Sequence, residues 1–183
     1  MKKPILAFLV LIFAPPAMAG EPSGGLTEKN IRAYYAGIPA IFQKPFSEFL
    51  PAYLMRAADT LEVSTTTTIH MMDKSIVRSK RSLTKDQMGE SAGQAYAAAQ
   101  GADLANHVTS IAIDPSGNSA LVHETATIKN MQLPGEDGSY AYIADSTETC
   151  LDTVIFVPGV GVQTTRSNCS ANVVVTQRNL ENQ

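Results

Sequence analysis

The chain has 183 residues, with 14 Lys+Arg against 17 Asp+Glu and a formal net charge of −3. That is long enough for one domain with a real core. Beyond Lys2-Lys3 no basic run exceeds Lys80-Arg81, which excludes nucleic acid or an anionic membrane surface as the main partner.

The N-terminus reads Met1-Lys2-Lys3, an apolar run from Ile5 to Ala14, then Ala17-Met18-Ala19-Gly20. A basic start, a short apolar core and an Ala-x-Ala end are the three parts of a cleavable secretory signal. The run is shorter than the roughly 20 residues a membrane-spanning helix needs. We therefore expect a signal over 1–19, cleavage after Ala19, a bacterial periplasmic or secreted location and no membrane span in the mature protein. Two of the 14 basic residues lie in the leader, so the mature chain carries 12 against 17 acidic residues, a net charge of −5.

Residues 20–26 read as a flexible lead-in. Thr27 can cap a helix whose Ile31, Tyr34, Tyr35 and Ile38 recur at helical spacing, with a kink or stop at Gly37 and Pro39. A second helix is expected from Ser47 or Leu50, with Pro51 in its first turn and Phe49, Leu50, Tyr53 and Leu54 presented. Leu61 to Met71 is β-branched and reads as a strand, followed by a turn at Met72–Ser75 and a return strand from Ile76. Thr84-Lys85-Asp86-Gln87 is a capping box opening a third helix, which runs to about Gln100 and closes at Gly101.

The remainder reads as sheet. Val108–Ile113 and Ser119–Ile128 flank Asp114-Pro115-Ser116-Gly117, a type I turn by residue type. A loop over 134–138 leads to long strands, Tyr140 to Val157 and Val162 to Gln177, joined by Pro158-Gly159-Val160-Gly161. Cys150 and Cys169 lie equidistant from the Gly159-Val160 midpoint, so a hairpin turning there sets them opposite each other. In an oxidising compartment such a pair forms a disulfide, stabilising the fold by about 3 kcal/mol on the chain-entropy model. No histidine stands close enough in sequence to complete a metal site, and no cofactor fingerprint is present. The tail from 178 to 183 is polar.

This order of elements resembles the NTF2-like superfamily. The similarity is greatest from the capped segment Ser82-Leu83-Thr84-Lys85-Asp86-Gln87 through Asp114-Pro115-Ser116-Gly117-Asn118-Ser119-Ala120-Leu121-Val122, which resembles SnoaL-like domains. Over 27–177 the resemblance implies an α+β cone, with three helices from the N-terminal half packed on a strongly curved antiparallel sheet. It also implies a conical pocket with a largely apolar lining. Isomerases of this fold use an Asp base with Tyr and Asp donors, and the dehydratase uses a His–Asp pair with tyrosines. Neither set lays onto this sequence residue by residue, and the fold also hosts binding and assembly proteins without chemistry.

His123 shares a strand face with Leu121, Thr125 and Thr127, while Ala120, Val122, Glu124, Ala126 and Ile128 face the other way. Alternation alone does not say which face is concave. A neutral imidazole at 123 can act as acid or base near neutral pH, with Asp145 or Glu148 to orient it. Asp145 is the alternative base. Tyr34, Tyr53 and Tyr96 fall on helix stripes, where a hydroxyl can reach a pocket wall. His123 and these tyrosines are the candidate ligand contacts. The sequence therefore favours a non-catalytic exported module that binds a small, largely apolar molecule or docks an envelope protein, with a homodimer through the sheet. An isomerase-, dehydratase- or cyclase-type enzyme and a structural subunit of an envelope assembly are the alternatives.

Overall fold

A computed structural model describes residues 25–134 and 140–178. The expected signal, most of the lead-in, the loop beyond Pro134 and the end of the tail lie outside the described residues. Leu26, which the sequence assigned to the lead-in, is buried, and its N–H donates to the Gly117 carbonyl.

α1 (Glu28–Ala36) starts at Thr27, whose hydroxyl accepts from the Asn30 N–H while the Asn30 side chain accepts from the Thr27 N–H. The chain breaks at Gly37 and resumes as α2 (Ile38–Phe42), so the first helical arm is bent where Gly37 and Pro39 predict it. α3 (Phe46–Met55) begins ahead of the expected start, and Pro51 lies inside it rather than in its first turn. The Phe49 ring fixes this placement. It is fully buried, with its centroid 5.0 Å from that of Phe42 and 4.9 Å from those of both Tyr53 and Tyr96. Burying a ring of this size contributes roughly 2–3 kcal/mol, comparable to the cost of about 3 kcal/mol for an interior proline. α4 (Lys85–Ala99) opens on the Thr84/Gln87 capping box and turns its Met88, Ala92, Ala95 and Ala99 stripe inward.

The six strands are β1 (Ala57–His70), β2 (Ile76–Thr84), β3 (Asp103–Ile113), β4 (Ser119–Pro134), β5 (Tyr140–Val157) and β6 (Gly161–Arg178), in sheet order β2-β1-β6-β5-β4-β3. The sheet is mixed rather than antiparallel, because β1 runs parallel to β6. No local turn joins those two strands, so turn chemistry does not set their relative direction. The helices cover one face only, and β1 from Leu61 and β4 from Ala120 to Ile128 alternate accordingly.

The β5–β6 register pairs Cys150 with Cys169, as the turn symmetry predicts, and the two form a disulfide. The route to that register is less direct. The turn pairs Val157 with Gly161 and Val154 with Thr164, and a shift between Thr153 and Val154 leaves Thr165 as an extra residue. This bulge restores the spacing by the time the strands reach the cysteines. Gly159 and Gly161 take φ of 78° and 109°, which a side chain disfavours.

Candidate functional site: a buried polar cluster on the inner sheet face

The inner face of β4 carries Ala120, Val122, Glu124, Ala126 and Ile128, all buried. On β5 the same face carries Ser146, Glu148, Cys150, Asp152 and Val154, again all buried. Successive strands therefore stack three polar rows under the helices. In register these are Val122–Asp152–Ser167–Val63, Glu124–Cys150–Cys169–Thr65 and Ala126–Glu148–Ala171–Thr67. The inner sheet face is thus polar and ionisable at mid-sheet. Apolar side chains take over toward Ile128, Val173 and Ile69.

Two further groups enter this cluster from the helical layer. Tyr35, on the buried side of α1, donates its hydroxyl to Asp152 Oδ2 at 2.7 Å, and Ser167 donates to Asp152 Oδ1 at 2.6 Å. Arg56, at the junction of α3 and β1, is 2% exposed. Its guanidinium carbon lies 4.1 Å from the Tyr34 ring centroid and its Nη2 donates to the Tyr34 carbonyl at 3.3 Å, while Nε and Nη1 are buried with no hydrogen-bond partner. Tyr34 in turn hydrogen-bonds through its hydroxyl to Thr164 Oγ1 at 2.7 Å and donates to the Arg56 carbonyl at 3.2 Å. Asn106 Nδ2 donates to Glu124 Oε2.

Burial dominates the electrostatics. It pushes Glu124 up to about 8, assisted by the nearby Asp152 charge and opposed by the Asn106 hydrogen bond and Arg56. Glu148 is pushed well above the usual carboxylate range by burial, then by Glu124 and Asp152. Asp152 is also raised by burial, but the Ser167 and Tyr35 hydrogen bonds and Arg56 work the other way. Burial pulls the Arg56 guanidinium below its ordinary value, partly offset by Tyr34, Tyr35 and the carboxylates. At neutral pH, then, Glu124 holds its proton and Arg56 its charge, while burial pushes Asp152 and Glu148 toward their protonated forms. Such an arrangement can store protons, and it can donate hydrogen bonds to an acceptor from Arg56.

The residues singled out from sequence scatter. Tyr34 belongs to this cluster. Tyr53 and Tyr96 sit in the aromatic cluster around Phe49, and the Tyr96 hydroxyl donates to the Lys44 carbonyl at 2.8 Å. His123 is exposed on the outer sheet face, because the helices cover the face that its strand neighbours occupy. There it lines an open depression of about 410 Å³ with Thr66, Lys80, Thr149, Asn168 and Ser170. Asp145 lies on the outer side as well and accepts the Asn130 N–H at 3.1 Å. Glu148 points inward, away from His123, and does not orient it. Among the described residues, His123 and Asp145 both lie on the outer face, away from the buried cluster.

The sequence did not single out Tyr35, Arg56, Glu124 or Asp152. A signal existed for Glu124, a carboxylate on the otherwise apolar face of its strand. None existed for Arg56 at a helix-to-strand junction.

No protein-family model matches this chain, and comparison with curated proteins returns no match. Solved structures do resemble it. A conserved protein from Planctomyces limnophilus superposes with a TM-score of 0.50 at 12% identity, over 81% of this chain and 97% of that one. A ketosteroid isomerase-like protein from Erwinia carotovora atroseptica gives 0.45 at 14% identity, over 79% and 92%. An NTF2-like protein from Cytophaga hutchinsonii gives 0.43 at 10% identity, over 80% and 99%. Four helical segments lie on one face of a six-stranded mixed sheet, an α+β fold that this chain shares with the Planctomyces limnophilus protein.

Proposed function

We propose that this chain is an exported, non-catalytic binding domain whose seat for a small molecule is the buried polar cluster around Arg56. One observation carries the reading. Arg56 keeps two nitrogens buried and unpartnered, and buried donors in folded proteins almost always find an acceptor. A ligand oxygen supplies that acceptor, so the ligand is polar at one end, and the apolar side chains farther along the sheet suit an apolar remainder. The Cys150–Cys169 disulfide supports export to an oxidising compartment. Among the described residues no helix is long and apolar enough to cross a membrane.

The assembly-subunit alternative requires an apolar outer sheet face. The described strands carry hydroxyls and amides there, in register as Thr125–Thr149–Ser170–Thr66, and Ile76, Leu121 and Val174 are exposed singly. A homodimer through the sheet would have to bury this polar face, and light scattering measures whether it forms.

Native mass spectrometry of the protein purified from its own source tests the main reading. A small molecule that leaves on denaturation, and that is absent when Arg56→Lys is purified in the same way, is the expected result. An empty protein running as a mixed complex would displace this reading in favour of docking.

A further inference from the structure

The disulfide does not sit alone. A carboxylate oxygen of Glu148 and the sulfurs of Cys150 and Cys169 all lie within 4.8 Å of one another, and all three residues are buried. Glu148 and Cys150 are alternate residues on the inner face of β5, and Cys169 is directly opposite Cys150. The ionisable groups acting on Glu148 are Glu124 and Asp152, both acids, with no cation among them. A fully buried carboxyl whose charged neighbours are other carboxyls is costly for a fold to keep. Two hydroxyls flank the sulfurs. Ser167 Oγ is 3.1 Å from Cys169 Sγ, and Thr65, which faces Cys169 across the β1–β6 pairing, has a buried hydroxyl with no hydrogen-bond partner.

We infer that, once the Cys150–Cys169 bond is reduced, Cys150, Cys169 and Glu148 form a three-ligand seat for a thiophilic divalent cation such as zinc. Two thiolates and a carboxylate match the ligand types zinc prefers, and the fourth position of its tetrahedron is left for water. Ser167 Oγ is placed to donate to the Cys169 sulfur.

The steps balance. A dithiol reductant delivers two electrons and two protons to the disulfide, is itself oxidised to a disulfide, and leaves two thiols on the chain. The cation then displaces both thiol protons and the Glu148 proton to solvent, giving three anionic ligands around one dication. Oxidation closes the disulfide and expels the metal, so disulfide and metal exclude each other. Sequence alone points away from a metal here for want of a histidine; the third ligand is a glutamate two residues ahead of Cys150.

The test uses Co²⁺ as the probe on the full chain, held oxidised or reduced with a phosphine. The reduced protein is expected to take up about one Co²⁺ per chain with a thiolate-to-cobalt charge-transfer absorption, which Zn²⁺ abolishes by displacement. The oxidised protein is expected to show none. Glu148→Gln, which keeps both thiols, should weaken Co²⁺ binding by at least about tenfold, and Cys150→Ser should remove the charge-transfer band. Circular dichroism accompanies each sample. A reduced chain that unfolds without metal and refolds with Co²⁺ supports the site. A reduced chain that shows no charge-transfer band, whether folded or unfolded, overturns it, as does a Glu148→Gln variant that binds Co²⁺ as tightly as its parent.

Discussion

Replacing Glu124 with glutamine should flatten the dependence of stability on pH. In the folded chain burial and the Asp152 charge lift this carboxyl to about 8 from an ordinary 4.5. The folded state therefore holds the Glu124 proton more tightly than the unfolded chain does. Its contribution to stability is fully present below about pH 4.5 and is lost progressively as pH rises through about 8. The difference of about 3.5 units, at 1.36 kcal/mol each, amounts to something on the order of 5 kcal/mol across that window. Glutamine is nearly isosteric, can still accept from Asn106, and does not titrate. Urea denaturation at about pH 5.5 and about pH 8.5 should show the parent losing at least about 2 kcal/mol more than the variant. Glu148 is raised in the same direction, so the variant keeps a residual slope. Parallel pH profiles for the two proteins would refute the reasoning and place water around Glu124 in the folded state.

Phe49→Ala should cost about 3–5 kcal/mol, because the ring is fully buried among Phe42, Tyr53 and Tyr96; thermal unfolding checks this. Tyr35→Phe removes one of the two hydroxyl donors to Asp152 and should cost about 1–3 kcal/mol. Because Asp152 loses a bond that favours its charged form, that loss should be greater at pH 8 than at pH 5. His123→Ala should change stability by less than about 0.5 kcal/mol, since the imidazole is exposed on the outer face; it should also leave any small molecule carried by the protein in place, as native mass spectrometry would show.

Much of the fold could be read from local chemistry. The caps at Thr27 and Thr84 place helix starts to the residue, and the structure adds Asn30 as the second half of the Thr27 capping box. The Asp114–Gly117 turn forms with the Gly117 N–H donating to the Asp114 carbonyl. The cysteine pairing follows from turn symmetry, with the Thr165 bulge offsetting a turn that closes one residue off the expected centre. The candidate site was far less legible, for one physical reason. Strand alternation separates Glu124 from His123 but is silent on which of them faces the helices. That depends on how α1 and α4 land on the sheet, a tertiary outcome with no local sequence mark. His123 stands out in sequence by its ordinary titration range, whereas Glu124 and Glu148 acquire theirs only through burial. Arg56 illustrates the same limit: beside Met55, Ala57 and Ala58 it reads as an ordinary charged residue leaving a helix, yet it is buried with its guanidinium against the Tyr34 ring of α1.

The parallel contact between β1 and β6 has a bearing on how the chain is made. β6 lies between β1 and β5, so without it the sheet is two separate pieces, the β1–β2 pair and the β3–β4–β5 meander. The strand that joins them leaves a ribosome or a translocation channel after the other five described strands. Until it arrives, the inner sides of β1 and β5 expose unpaired backbone and the Cys150 thiol lacks its partner. Pairing across so many residues is slow, and unpaired edges invite association with other chains. The sheet should therefore stay open until β6 has emerged and then close in one concerted step, with oxidation of the cysteines reporting that closure.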